Sequence, residues 1–342
     1  MESPRRQPTL DEVALRAGVS RSAASRAVND GPNVSRAKRD AVMKAVRDLG
    51  YVPNATARAL ATNHAGAVVL AVPNDDPALF ADPFYAQIIL GVALELDRAD
   101  LDLTLVLVGS TQGRARLERM LRSRRSDGFM VMAPGGDDWL SAVAHMTDLP
   151  VVFCGRPLAA EPTWYVDADN RGGGRTATEH LVALGRRRIA MIAGPMDLRA
   201  TVDRHRGFTD AMAVAGLDPS RIATADFTAR GGALAMARLL AQHPDLDGVF
   251  AASDTMAAGA LRELRASGRS VPGDVAVVGF DDLTIAAQTE PDLTTVHQPI
   301  QALGQELAKM TVRLVGGERP SPLIVPTHLV VRGSAPGVAA AP

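Results

Sequence analysis

The chain has 342 residues, 46% hydrophobic and 22% charged, with a formal net charge of −1. At roughly 150 residues per domain this length suits about two domains and a small extra module, and the composition excludes wholesale disorder and a uniformly polybasic or polyacidic protein. No apolar run approaches the roughly 20 residues of a membrane span. The basic start MESPRRQPTLDEV lacks the apolar stretch of a secretory signal, and a single cysteine, Cys154, excludes an internal disulfide and suits a reducing cytoplasm.

Charge is unevenly spread. Residues 1–62 carry eleven basic and six acidic side chains, and the remainder carries 26 and 32. A cationic head on an anionic body predicts a polyanionic partner for the head. Thr9-Leu10-Asp11-Glu12 forms a capping box, and Leu10, Val13, Ala14 and Ala17 then share one helical face. Gly18 stops that helix and Ser20 caps the next, which runs from Arg21 to about Asn29 with Ala24 and Val28 inward. Its other face carries Arg21, Ser22, Ser25, Arg26 and Asn29. After Gly31-Pro32, Ser35 caps a third helix with Val42, Ala45, Val46 and Leu49 on one stripe. Three short helices with a glycine turn between the first two match the helix-turn-helix pattern. Arginine forks fit a guanine edge in the major groove. Ser25, Asn29 and the helix N-termini at Thr9, Ser20 and Ser35 suit phosphates. A helical interaction module with surface arginines is the plainer alternative. Asn54 then caps a short segment carrying Arg58 and Leu60. So short a helix needs outside packing to persist, and an exposed leucine on it suits a minor-groove wedge.

The stretch TLDEVALRAGVSRSAASRAVNDGPNVSRAKRDAVMKAVRDLGYVPNATARALA resembles the DNA-binding head and hinge of the lactose-repressor (LacI/GalR) family of bacterial transcription regulators. The resemblance implies that Arg21, Ser22 and Arg26 read bases. It also implies that Thr9, Ser25, Asn29 and Ser35 contact phosphate and that Leu60 is the hinge wedge.

The body alternates strands and helices. A strand at Ala67–Val72 precedes a helix from about Phe84 to Ala99. The series continues with strand Leu103–Val108, a helix near Arg114–Arg122, strand Gly128–Met132, a helix near Trp139–His145, and strands Val151–Phe153 and Tyr165–Val166. A second series runs from helix Gly173–Leu184 and strand Ile189–Ala193 through helix Asp203–Ala215, strand Ile222–Ala225, helix Gly232–Gln242, strand Val249–Ala252 and helix Thr255–Ser267 to strand Val275–Gly279. Such alternation means parallel sheets covered by helices, with a ligand at the strand C-termini. VDADNRGGGRTATEHLVALG and GVFAASDTMAAGALREL carry the resemblance into the body. The implied fold is an all-α helix-turn-helix head (1–52), a hinge and linker (53–65), and a body (66–335) like a periplasmic sugar-binding protein. That body has two doubly wound subdomains, about 66–168 with 298–318 and about 169–297 with 319–335, followed by a flexible tail (336–342).

For the effector cleft, the resemblance selects Arg204, three residues before Gly207, and Asp281 as a hydroxyl-binding aspartate. An arginine fork binds paired hydroxyls or a carboxylate. Ser253 ends a strand and Asp254 follows it, as either a hydroxyl acceptor or a helix cap. Phe84 and Tyr85 offer rings either for stacking on a ring ligand or for core packing, Phe280 is floor or core, and Asp169 and Asn170 stand at the first crossover. Where some sugar-responsive relatives place an aspartate, this chain has Gly155-Arg156. FCGRPL resembles members that sense plant oligosaccharides, which gives Arg156 a larger ligand to reach.

Gly172–Ala177 contains GxGxxA, but five residues separate it from the preceding strand, unlike a dinucleotide turn. GxxxxGK[ST], HExxH and GxSxG are absent, and the histidines lack ligand spacing. These readings imply no enzyme, cofactor, metal or membrane. They imply a cytoplasmic, nucleoid-associated homodimeric repressor on a near-palindromic operator, controlled by a small sugar. A purine- or other metabolite-responsive regulator, including a corepressed one, is the alternative. The Ala/Gly/Pro-rich tail predicts no tail-mediated tetramer.

Overall fold

The structure, a computed structural model, describes residues 8–29, 31–52, 64–73, 83–123, 125–132, 138–158 and 162–337. The chain divides at Gly66 into two compact units. Asn54, Arg58 and Leu60, and all but the start of the expected tail, lie outside the described residues.

In the first unit α1 (Leu10–Ala17), α2 (Arg21–Val28) and α3 (Arg36–Leu49) enclose a small core. The Thr9 N–H donates to the Glu12 carboxylate at 2.7 Å, and the Glu12 N–H donates to Thr9 Oγ1 at 3.3 Å, closing the capping box. Gly18, left-handed at φ 66°, ends α1 without the penalty a side chain would bring. Ser20 Oγ accepts from the Ala23 N–H at 3.3 Å. Two expectations change. Ala27, i+3 from Ala24, is the second fully buried residue of α2, while Val28 packs at the edge of that core. Ser35 occupies the cap position of α3, but its side chain makes no capping bond. Arg39 instead fastens α3 to α2, donating to the Ala27 and Gly31 carbonyls at 3.2 and 3.1 Å.

The second unit holds two six-stranded sheets. In chain order its elements are β1 (Ala67–Val72), α4 (Pro83–Arg98), β2 (Asp102–Leu107), α5 (Thr111–Arg122), β3 (Gly128–Met132), α6 (Asp138–Ala142), β4 (Val151–Cys154) and β5 (Tyr165–Ala168), then α7 (Asn170–Ala183), β6 (Ile189–Ala193), α8 (Arg199–Val214), β7 (Ile222–Thr224), α9 (Ala229–Gln242), β8 (Gly248–Ala251), α10 (Asp254–Ala266), β9 (Ala276–Asp281), β10 (Thr294–His297), α11 (Ile300–Val315), β11 (Leu323–Val325) and β12 (His328–Val330). The first sheet, β11-β5-β4-β3-β1-β2, is parallel throughout. The second, β12-β10-β9-β8-β6-β7, is parallel except for β12. Side chains alternate across each strand. Val68, Leu70 and Val72 therefore join Ile88, Val92, Leu303 and Leu307 of α4 and α11, while Val69 and Ala71 join Leu117 and Leu121 of α5. A sheet buried on both faces explains the near-continuous apolar runs. Among the described residues, no helix is long and apolar enough to cross a membrane.

The chain passes between the sheets after β5, after β10 and after β11. This last passage corrects the expected boundary. Residues 323–325 belong to the first half, because β11 hydrogen-bonds in parallel to β5. Two helices begin earlier than expected. Asp169 caps α7 by accepting from the Gly172 N–H at 2.8 Å, so the helix starts at Asn170 and takes in Arg171 and Gly172 ahead of the expected Gly173. Helix α8 opens at Arg199 instead of Asp203. These two helices meet backbone to backbone: a β-carbon on Gly174 would strike the Arg204 carbonyl oxygen, and one on Gly207 the Arg171 carbonyl oxygen. That close approach brings Asn170 and Arg204 together.

Candidate functional sites

The first site is the outer face of α2. Arg21, Ser22 and Arg26 are exposed along it, while Ser25 and Asn29 are half-buried. The Asn29 side-chain amide donates to the Ser25 carbonyl at 3.0 Å, and Ser20 Oγ lies 3.1 Å from Ser22 Oγ. Arg21 makes a 3.3 Å ion pair with Asp11 in which both side chains are largely exposed. Such a pair contributes little, so Arg21 is free to exchange it for another partner. The result is a row of forked donors and small hydroxyls on a rigid helix.

The second site is a cleft of about 130 Å³ between the two sheets of the body, lined by residues of both halves. Its centre is Arg204, 5% exposed. Arg204 Nε donates to Asn170 Oδ1 at 2.8 Å and Nη1 to the Ala252 carbonyl at 2.5 Å, and Nη2 pairs with Asp281 Oδ1 at 3.3 Å. The guanidinium lies 3.7 Å above the Phe280 ring. Burial lowers its pKa, offset in part by Asp281, yet arginine stays charged. The Gln298 amide, from the second passage between sheets, donates to the same Asp281 oxygen at 3.0 Å. At another side of the cleft, Arg156 Nε donates to Asp167 Oδ2 at 2.9 Å and Nη2 to Asp203 Oδ2 at 3.0 Å, joining the two halves. Burial pushes the Asp167 carboxyl above its ordinary range despite Arg156. Phe84 and Tyr85 meet edge to face at 5.6 Å on the cleft wall.

Of the residues singled out from sequence, Phe84, Tyr85, Arg156, Asn170, Arg204, Ser253 and Asp281 line this cleft. Three do not. Asp169 is exposed and occupied as the α7 cap. Phe280 is fully buried beneath Arg204 and acts as its floor. Asp254 points into the protein: its oxygens accept from the Leu283 N–H at 2.8 Å and the Thr295 hydroxyl at 2.5 Å, while Ser253 supplies the α10 cap. Burial, then the charge of Asp281, pushes its carboxyl well above the usual range. The cleft also contains Asp167, Arg199, Phe227 and Gln298, which sequence reasoning passed over. Asp167 carried a signal, since a carboxylate inside the buried run Tyr165–Ala168 demands a partner. Phe227, left-handed at φ 64° with its ring over Gly194, carried none beyond being an aromatic beside the helix cap Thr228.

A basic helix-turn-helix unit followed along the chain by a two-sheet body with a polar, aromatic-walled cleft defines the class of allosteric DNA-binding regulators. Residues 9–54 match the lacI family of bacterial regulatory proteins, and residues 178–335 match the periplasmic binding protein-like domain. The HTH-type transcriptional regulator CelR of Thermobifida fusca is 45% identical, over 96% of this chain and 99% of that protein. A solved complex of transcriptional regulator CelR with cellobiose is 43% identical with a TM-score of 0.76, covering 96% of this chain and 100% of that one. The lac repressor dimer bound to operator and the anti-inducer ONPF is 28% identical with a TM-score of 0.87, covering 97% and 100%. The chain belongs to the LacI family: it is a DNA-binding regulator of transcription, not an enzyme.

Proposed function

We propose that this protein is a cytoplasmic, nucleoid-associated homodimeric repressor whose operator affinity is set by a plant-derived di- or oligosaccharide, with cellobiose as the first candidate. The carrying observation is the Arg204–Asp281 fork braced by Asn170 and Gln298 in a cleft walled by Phe84 and Tyr85. Fixed donors and acceptors match neighbouring hydroxyls, and aromatic rings match the apolar face of a sugar. Identity of 43% with the CelR chain solved in complex with cellobiose supports the same ligand class. On the operator side, Arg21, Ser22 and Arg26 read bases. Thr9, Ser20, Ser25, Asn29 and Ser35 hold the backbone, and Asn54, Arg58 and Leu60 serve the hinge. Two heads on a dimer call for a near-palindromic site.

Calorimetry against cellobiose, glucose, longer cello-oligosaccharides, hypoxanthine and guanine tests the cleft. The expected result is that cellobiose or a close glucoside binds and that the same compound alters operator affinity. Binding of purines alone would overturn the sugar reading in favour of a purine-responsive regulator.

A further inference from the structure

The segment that follows β9 links the cleft to the opposite half of the body. Asp281 and Asp282 are consecutive non-glycine residues in the left-handed region, at φ 106° and 57°. Such a conformation persists only where the surroundings over-determine it. Three side chains in a row do so, each in a different place. Asp281 enters the cleft on Arg204 and Gln298. Asp282 turns to the later passages between sheets, accepting from Arg332 Nη2 at 2.7 Å and lying 3.0 Å from His297 Nδ1. Leu283 sends only its side chain out of its own half. Its N–H is held at 2.8 Å by Asp254, the first residue of α10 in the second half. Its side chain, 2% exposed, is buried in the core of the first half with Ile300, Leu303 and Leu307.

We propose that Asp281–Asp282–Leu283 is the coupler of the body, with Leu283 as the peg through which effector engagement at Asp281 acts on the first half. This inference rests on the effector reading of the cleft. The main chain of Leu283 is fastened to the second half, while its side chain is part of the packing of the first. No relative movement of the halves leaves that packing unchanged, and close-packed cores respond by discrete rearrangement rather than smooth deformation. The first half begins with β1 at Ala67, directly after the linker, so a repacked core there lies next along the chain to the DNA-binding unit. Asp254 acts through Leu283 and is a positioning residue.

The test uses the full-length protein, an operator selected by the wild type from random duplexes, and cellobiose as probe. Operator affinity is measured without and with saturating cellobiose, and the ratio of the two is the coupling, typically about 5–150-fold in allosteric proteins. Leu283→Ala is expected to bring the ratio close to 1 while effector-free operator affinity stays within about twofold, and Leu283→Met, of similar volume, to restore most of it. A purely packing role would lower stability or both affinities and leave the ratio intact, and that result overturns the proposal. If Leu283→Ala does not fold, Leu283→Val, which shortens the same side chain less, is read in the same way: a lowered ratio supports the coupler and a retained one overturns it. Should the wild type bind neither cellobiose nor a related glucoside, the cleft reading fails first and the coupler falls with it; binding with an unchanged Leu283→Ala ratio removes the coupler alone.

Discussion

Replacing Arg156 with methionine isolates the ion pair that spans the cleft. The arginine side chain is 17% exposed and those of Asp167 and Asp203 are 6% exposed, so the pair belongs with buried rather than surface ion pairs. Removing one partner of a buried pair costs about 3–5 kcal/mol, because a charge is left uncompensated. The two carboxylates do not suffer equally. Asp203 keeps Arg199 at 2.9 Å and Arg206 at 3.3 Å, whereas Asp167 keeps, among the described residues, the neutral donors of the Ala168 N–H and the Asn170 amide. The loss therefore centres on Asp167, and about 3 kcal/mol at pH 7 is expected, the low end of that range. Burial already raises the folded-state pKa of Asp167 above its ordinary value, and losing Arg156 raises it further. A carboxyl with a raised folded pKa binds more protons in the folded than in the unfolded state, so its contribution to stability falls as pH rises through the folded pKa. The deficit of Arg156→Met relative to wild type should accordingly be largest at neutral pH and shrink on acidification, as Asp167 takes up a proton. Equilibrium urea unfolding from pH 5 to 8 measures this directly. A deficit below about 1 kcal/mol, the ordinary value for an exposed pair, or one that does not vary with pH, would refute the reasoning.

Other expectations are as specific. Arg204→Ala strips partners from Asn170, Asp281 and the Ala252 carbonyl, so the calorimetric effector signal should vanish while operator binding persists; a normal isotherm contradicts the assignment. Arg26→Ala should cost about 1–3 kcal/mol in operator binding and relax base choice at one position, and unchanged preference in a selection from random duplexes counts against it. Ser20→Ala removes the cap on Ala23 and should lower the stability of the head by about 1 kcal/mol, visible as an earlier melt; an identical melt denies the cap any role. Burial pushes the Cys154 thiol up to about 12, so iodoacetamide at pH 8 should label the protein only after unfolding, and rapid labelling of the native state would exclude that environment.

The head was legible almost residue by residue because its signals are local. Thr9 with Glu12, Gly18 and Ser20 define helix ends within a few positions of chain. The exceptions, Val28 and Ser35, are places where packing between helices and the Arg39 clamp decide the outcome. In the body, strand runs such as Ile189–Ala193 announced themselves through buried parallel pairing, with both faces apolar. The start of α8 did not, because Leu198 supplies no capping side chain. The cleft was read least well where a role depends on where a carboxylate points. Asp254 lies just past β8 and Asp281 closes β9, and local sequence does not tell the two apart. Thr295 and the Leu283 N–H draw Asp254 inward, while Arg204 and Gln298 hold Asp281 in the opening. Membership of β11 in the first sheet depends on pairing with a strand some 150 residues earlier, which no local pattern records.

That late pairing bears on how the protein is made. The sheet that opens at Ala67 gains its outer strand only at Leu323–Val325, and the other sheet gains its own at His328–Val330. On the ribosome, then, the head can mature while synthesis continues, but both lobes stay unfinished until nearly the same moment. A nascent polypeptide cut short before residue 323 would leave two incomplete lobes instead of one sound one, with open edges of the kind that recruit foreign strands.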